Sequence, residues 1–160
     1  MTEQDRAAPI LVFGYGNPSR GDDALGPRLV ARLATQRAAG RLPGIALLTD
    51  FQPQIEHVLD LRNRDRVIFV DAELGQQPAE PCPPWRWLPV EPKRDIGWTS
   101  HALSPNQLAG LFGRLYPDQH PVLEVLAIRG QDDRLGADLS DRARANLDSA
   151  VNALIEELGR

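Results

Sequence analysis

The sequence predicts an α/β protein with three layers, α/β/α, in which helices flank a mostly parallel, twisted sheet of five strands. Three observations carry this. Short apolar runs alternate with stretches of helical spacing along the whole chain. Most of the runs are continuously apolar, which is how strands read when helices cover both faces of a sheet. The polar residues fall just after the runs, where open α/β sheets place their sites.

The first run, Ile10 to Phe13, leads into Gly14-Tyr15-Gly16 and reads as a buried strand followed by a loop. From Ala24 the spacing turns helical, with Leu25, Leu29, Val30 and Leu33 on one face, until Gly40 to Gly44 breaks it. Ile45 to Leu48 is the second strand. Ile55 to Leu61 is a second helical stretch, with Ile55, Val58, Leu59 and Leu61 as its apolar positions. Val67 to Val70 is the third strand, expected to stop at Asp71. The stretch Pro78 to Pro84 suits neither helix nor central strand. Trp85 to Val90 alternates as a fourth strand, with Trp85 and Trp87 on one face and expected in the core. Leu103 to Leu115 is a helix with Ser104 as N-cap and Pro105 in the first helical position. Val122 to Ile128 is the fifth strand. Ser140 caps a last helix whose stripe is Ala143, Leu147, Val151, Leu154 and Leu158. No repeat or interdomain linker interrupts this, so residues 1–160 are expected to form one domain.

Composition narrows the function. The chain has 160 residues, 42% hydrophobic and 25% charged, enough for a core without disulfides or a structural metal. A net charge of -4 argues against nucleic acid as the main partner. One cysteine, Cys82, rules out an internal disulfide and a cysteine-based zinc site. The polar first residues do not read as a signal peptide, and no apolar run approaches the roughly 18 residues of a membrane span. A cytoplasmic, monomeric protein without membrane contact is expected.

Candidate site residues collect after the strands: Asn17, Asp22 and Asp23 after the first, Asp50, Gln52 and Glu56 after the second, Asp71 and Glu73 after the third, and His101 after the fourth. The glycine-rich first loop is not a dinucleotide site. A phosphate needs the bare positive end of a helix, and here two carboxylates occupy that place. Acids there commonly cap the helix, so one of Asp22 and Asp23 is expected to cap and the other to face the crevice. Asp71 ends an apolar strand, where a carboxylate is costly unless it is paired or bound to a metal. Two carboxylates and an imidazole from three loops make a mixed oxygen and nitrogen ligand set suited to nickel or zinc, with coordination positions left open.

The first loop, Gly14-Tyr15-Gly16-Asn17 through Asp22-Asp23-Ala24-Leu25-Gly26, resembles the opening signature of the hydrogenase maturation proteases. The resemblance continues in Val67-Ile68-Phe69-Val70-Asp71-Ala72, in Ser100-His101, and in Ile128-Arg129-Gly130 followed by Gly136-Ala137-Asp138-Leu139-Ser140. It implies an endopeptidase that removes the C-terminal extension of a nickel-iron hydrogenase large-subunit precursor after nickel insertion. By position it implies Asp23, Asp71 and His101 as nickel ligands, with Asp23 and Asp71 also catalytic and the nickel presented by the precursor. The chain departs from the pattern in places. Position 23 is often glutamate in the family. Some members place the histidine where Asn106 stands here, and His57 is a further candidate. The segment after the second strand, often Asp-Gly-Gly-Thr, is Asp50-Phe51-Gln52-Pro53 followed by Gln54-Ile55-Glu56-His57.

A second function class stays open: a non-catalytic chaperone that reads the metal and holds the precursor without cutting it. No Ser-His-Asp arrangement is evident, and Cys82 has no assigned base. A hydrolase built this way must use water as its nucleophile. The first loop and the segment from Pro78 to Trp98, with Trp85, Trp87 and Trp98, form the expected docking face, and Trp98 is the tryptophan expected at the site.

Overall fold

A computed structural model describes residues 1–75, 79–94 and 102–159. The order of elements is α1 (Glu3–Ala7), β1 (Ile10–Tyr15), a 3-10 turn (Gly21–Ala24), α2 (Leu25–Ala38), β2 (Ile45–Asp50), a 3-10 helix (Ile55–Leu61), β3 (Arg66–Glu73), β4 (Trp85–Pro89), α3 (Pro105–Leu115), β5 (Val122–Arg129) and α4 (Asp141–Leu158). The five strands form one sheet in the order β2-β1-β3-β5-β4. Four are parallel; β4 runs antiparallel to β5. The three-layer α/β/α architecture is therefore present.

The layers follow from the apolar stripes. Leu25, Leu29, Val30 and Leu33 of α2 pack with Ala143, Leu147, Val151 and Leu154 of α4 on one face, over Val12, Ile68, Val70, Leu126 and Ile128. On the other face Leu108 and Phe112 of α3 and Val58 and Leu61 of the 3-10 helix cover Leu11, Phe13, Val67 and Phe69. Ser104 caps α3 in a reciprocal box with Gln107, and the Ser140 side chain caps α4. Among the described residues no helix is long and apolar enough to cross a membrane.

The structure differs from expectation in four places. The strands run further than their apolar cores. Asp71 lies inside β3, because the ladder with β5 continues through Asp71↔Ala127, Ala72↔Ile128 and Glu73↔Arg129. The stretch 55–61 is a 3-10 helix, so its period of three buries Val58 and Leu61 and leaves Ile55 and Leu59 half exposed. β4 departs from the parallel pattern because no crossover helix is present in the described part of the connection before it, and it begins beside the carboxyl end of β5. Trp85 packs partly buried against the core and its indole N–H donates to Ser149 Oγ at 3.1 Å, whereas Trp87 is exposed, with the Arg66 guanidinium 5.5 Å from its ring centre. Only Trp85 of the pair joins the core.

β1 is one of the two inner strands of the parallel set. The chain passes from it to β2 on one side and then back across to β3 on the other, so the topological switch lies between β1 and β3. Crevices of open α/β sheets form at that point, beyond the carboxyl ends. Here the start of α2 is pressed against those ends. A Cβ added to Gly26 would lie 2.6 Å from both the Tyr15 and Val70 carbonyl oxygens, and one added to Gly14 would lie 2.3 Å from the Gly26 carbonyl oxygen. All three contacts are to backbone, which has little room to yield. Gly26→Ala is expected to destabilise the fold by roughly 1–3 kcal/mol, read from denaturant unfolding. An alanine variant as stable as the parent would show that this contact is not a constraint.

Candidate active site

Asp22 and Asp23 are neighbours in the chain with different surroundings. Asp22 is fully buried. Its Oδ2 accepts from the Gln131 N–H at 2.7 Å, the Asp132 N–H at 3.0 Å and the Ser140 hydroxyl at 2.7 Å, and its Oδ1 accepts from the Ser140 N–H at 2.7 Å. Burial alone would raise its carboxyl, but these four bonds outweigh it and hold the pKa below the ordinary value. Backbone bonds add to the seam: Asp22 N–H to Asp132 O at 2.6 Å, Gly21 N–H to Ala137 O at 3.1 Å and Gly136 N–H to Ser19 O at 2.7 Å. The expected cap at the start of α2 is absent; neither the 3-10 turn nor α2 has a side-chain cap. Asp22 instead ties the first loop to the segment that leads into α4.

Asp23 is partly buried and turns to the other side, where its Oδ2 accepts from the Asn17 N–H at 2.8 Å. Its backbone closes the loop: a Cβ on Gly16 would lie 2.0 Å from the Asp23 carbonyl oxygen. The loop is thus folded back on itself, with the Asp23 carboxylate held at its base.

Asp71 comes from β3, the strand across the switch point. Its Oδ2 accepts from the Tyr15 hydroxyl at 3.1 Å. Burial raises its pKa to about 6. The bonds from Tyr15 and from the Ala72 N–H oppose the rise, and the charges of Asp23 and Glu73 add to it. The Asp23 carboxylate is therefore near enough for its charge to act on Asp71. Burial, followed by the Asp71 charge, pushes the Tyr15 phenol well above its usual range, so it remains a donor. Glu73 also pairs with Arg86 of β4.

His101 and Trp98 lie outside the described residues. Ala102, which follows His101, forms a bridge with Gln54, and the Leu103 N–H donates to Pro53 O at 2.9 Å. The described chain thus resumes beside the loop that follows β2. Both alternatives to His101 are engaged elsewhere. His57 is buried, its Nδ1 accepts from the Gln54 N–H at 2.8 Å, and its Nε2 lies 3.2 Å from Asp50 Oδ2. Asn106 Oδ1 accepts from the Glu91 N–H at 3.0 Å. Among the described residues no group of three His, Cys, Asp or Glu side chains is gathered to hold a metal ion. They supply a carboxylate pair, which fits a hard or borderline divalent cation once nitrogen or substrate ligands complete it.

The fold has counterparts in solved structures. The chain is similar to the hydrogenase maturating endopeptidase HybD of Escherichia coli, at 25% identity over 93% of this chain and 91% of that one, with a TM-score of 0.67. It is similar in fold to the [NiFe] hydrogenase maturation protease HycI of Thermococcus kodakarensis KOD1, at 19% identity, 96% and 94% coverage and a TM-score of 0.69. In fold, the chain is similar to the hydrogenase maturation proteases. A third neighbour, the [NiFe] hydrogenase maturation protease HybD of Thermococcus kodakarensis, has 18% identity, 94% and 99% coverage and a TM-score of 0.63. No protein-family model and no curated protein matches the sequence.

Tyr15 is the site residue that sequence reading missed. Its position one residue after Gly14, on a strand next to that of Asp71, was the available signal. The raised Asp71 pKa also has a consequence for stability. The folded state holds the proton more tightly than the unfolded chain, whose carboxyl titrates near 3.8. The ionised carboxylate therefore costs stability, with no penalty below about pH 4 and the full penalty above about pH 6. In metal-free protein, Asp71→Asn, which still accepts from Tyr15, is expected to gain up to about 3 kcal/mol at pH 8 and nothing at pH 4. Thermal melts at the two pH values measure this, and an equal effect at both would remove the charge from the explanation.

Proposed function

We propose that the protein is the endopeptidase that removes the C-terminal extension from a nickel-iron hydrogenase large-subunit precursor, and that it reads nickel carried by that precursor through Asp23, Asp71 and His101. The observation that carries this reading is the carboxylate pair at the switch point: Asp23 from the turn after β1 and Asp71 from β3, the latter partly buried and held by Tyr15, in a fold similar to that of maturation proteases.

The chemistry needs no covalent enzyme intermediate. Water attacks the scissile carbonyl and its oxygen forms the new bond to carbon. The C–N bond then breaks and the departing amine takes up a proton. With a pKa of about 6, Asp71 is ionised near neutral pH yet more basic than an ordinary aspartate, which suits it to accept the water's proton. Tyr15 fixes the orientation of the carboxylate. Asp23, held by the Asn17 N–H, supplies the second carboxylate to the precursor's nickel. His101 supplies the nitrogen that the mixed ligand set requires. The partner is a folded protein, so the site must lie at the rim of the sheet, as the carboxyl ends of β1 and β3 do.

The test is incubation of the purified chain with nickel-loaded and nickel-free precursor, followed by mass spectrometry of the large subunit. A shortened product is expected only from the nickel-loaded form. Asp23→Asn, Asp71→Asn and His101→Ala are each expected to lower the processing rate by at least about 100-fold while circular dichroism stays unchanged. Stable binding of the precursor with no cleavage by the unmodified chain would favour the chaperone reading. Full processing by Asp71→Asn would remove the carboxylate from the mechanism.

A further inference from the structure

On the β2 side of the first loop lies a cavity of about 220 Å³, lined by Gly16, Pro18, Pro27, Thr49, Asp50 and Phe51. Its residues come from three elements that meet at the sheet's carboxyl rim. Gly16 and Pro18 belong to the loop that holds Asp23, Pro27 to the first turn of α2, and the rest to the end of β2 and the residue beyond it. The only charged side chain among them is Asp50, and both of its oxygens have partners within the protein. Oδ1 accepts from the Phe51 N–H at 2.7 Å, and Oδ2 lies 3.2 Å from His57 Nε2. Because His57 Nδ1 is an acceptor for the Gln54 N–H, its proton sits on Nε2 and points to Asp50. What the cavity offers to a visitor is mainly the two proline rings and the face of Phe51.

Phe51 is 65% exposed, a large apolar side chain that the fold does not need for its own core. Ile55 and Leu59, further along the same connection, are each 50% exposed. Apolar surface next to a polar site marks a place where a ligand is bound.

We infer that this cavity is a specificity subsite that takes one uncharged, apolar side chain of the polypeptide substrate, with Phe51 as its principal wall. The inference rests on the endopeptidase reading and adds to it the class of side chain recognised. The position relative to the cleaved bond follows from the sheet. Asp50 pairs with Tyr15 in register, and Tyr15 reaches Asp71 on the far side. Asp50 and Asp71 thus stand two strand spacings apart, about 10 Å. An extended chain advances about 3.3 Å per residue. The side chain in the cavity is therefore about three residues from the scissile bond. The volume accommodates a residue of leucine, methionine or phenylalanine size, and a charged group would lose its hydration against the prolines without gaining a partner.

The experiment measures steady-state processing of nickel-loaded precursor. It compares the unmodified chain with Phe51→Ala and Phe51→Leu, against precursors carrying aspartate in turn at each of four positions on either side of the cleaved bond. Phe51→Ala is expected to raise KM about 10-fold with kcat within twofold, and Phe51→Leu to restore most of the loss. At one position, about three residues from the cleaved bond, the precursor substitution is expected to cost the unmodified chain at least 10-fold in kcat/KM and to cost Phe51→Ala far less. That coupling is the signature of direct contact. Normal cleavage by the unmodified chain with additive losses at every position overturns the subsite and leaves the endopeptidase reading intact. Equal loss of kcat and gain of KM in Phe51→Ala, with a lowered melting temperature, assigns Phe51 a structural role and also overturns it. Absence of cleavage by the unmodified chain overturns both readings.

Discussion

Everything at this site depends on how closely α2 can approach the ends of β1 and β3. Gly14 and Gly26 face each other with no room for a Cβ, and Gly26 also sits against the Val70 carbonyl. A helix packed on a sheet through ordinary side chains stands about 10 Å from it. Here backbone meets backbone, and the loop between Gly16 and Ala24 has to fold into the small space left at the rim. This brings a carboxylate that belongs to the first loop within electrostatic reach of one that belongs to β3. The raised pKa of Asp71 is the energetic trace of that crowding, because burial and a neighbouring negative charge disfavour the same protonation state. A less intimate contact would leave two ordinary aspartates in water.

The tandem acids divide the work of the loop between them. Asp22 spends its charge on four hydrogen bonds inside the protein, the condition under which a fully buried carboxylate is tolerable. Ser140 is central to the seam. Its hydroxyl donates to Asp22 and accepts from the Ala143 N–H, so a single side chain both caps α4 and anchors the first loop. The loop is thereby clamped from the side of the α2 and α4 layer. Asp23, one residue on, turns its carboxylate to the other side of the loop, where it accepts from the Asn17 N–H. The internal bonds are concentrated on Asp22, and its neighbour is left beside Asp71.

Much of this was legible in the sequence, for reasons that are local. The strands β1, β2, β3 and β5 announce themselves as short apolar runs, and α2 and α4 by stripes that the structure buries almost residue for residue. The caps of α3 and α4 follow from Ser104 and Ser140. What sequence reading got wrong was non-local. The role of Asp22 requires Gln131, Asp132 and Ser140, more than 100 residues away, and nothing within a window of the chain distinguishes it from a capping acid. The direction of β4 depends on what lies between it and β3, and alternation in Trp85 to Val90 carries no direction. The 3-10 form of residues 55–61 turns on a difference between periods of 3.0 and 3.6, which seven residues barely resolve. Asp23 and Asp71 stand out in the sequence because both the strand ends and the resemblance point to them, and the structure brings the two near one another. Tyr15 does not stand out, because a tyrosine on a buried strand reads first as core.

The arrangement also explains why the carboxylate pair and the apolar cavity fall on opposite flanks of a single loop. β1 lies between β2 and β3, and the chain leaves it first to one side and then crosses to the other, so its loop stands where residues from both strands can be touched. On the β3 side the partner is a polar strand end, with Asp71 and Glu73, and the product is a charged, partly desolvated site. On the β2 side the partner is a connection in which Asp50 is engaged locally by His57 and the Phe51 N–H, and the rest of the lining is mainly apolar. A polypeptide lying across the loop from one flank to the other would meet chemistry and selectivity in sequence, separated by about three residues of extended chain. The distance between the two is set by the spacing of strands, so it is as fixed as the sheet itself, while the residues on either flank remain free to differ.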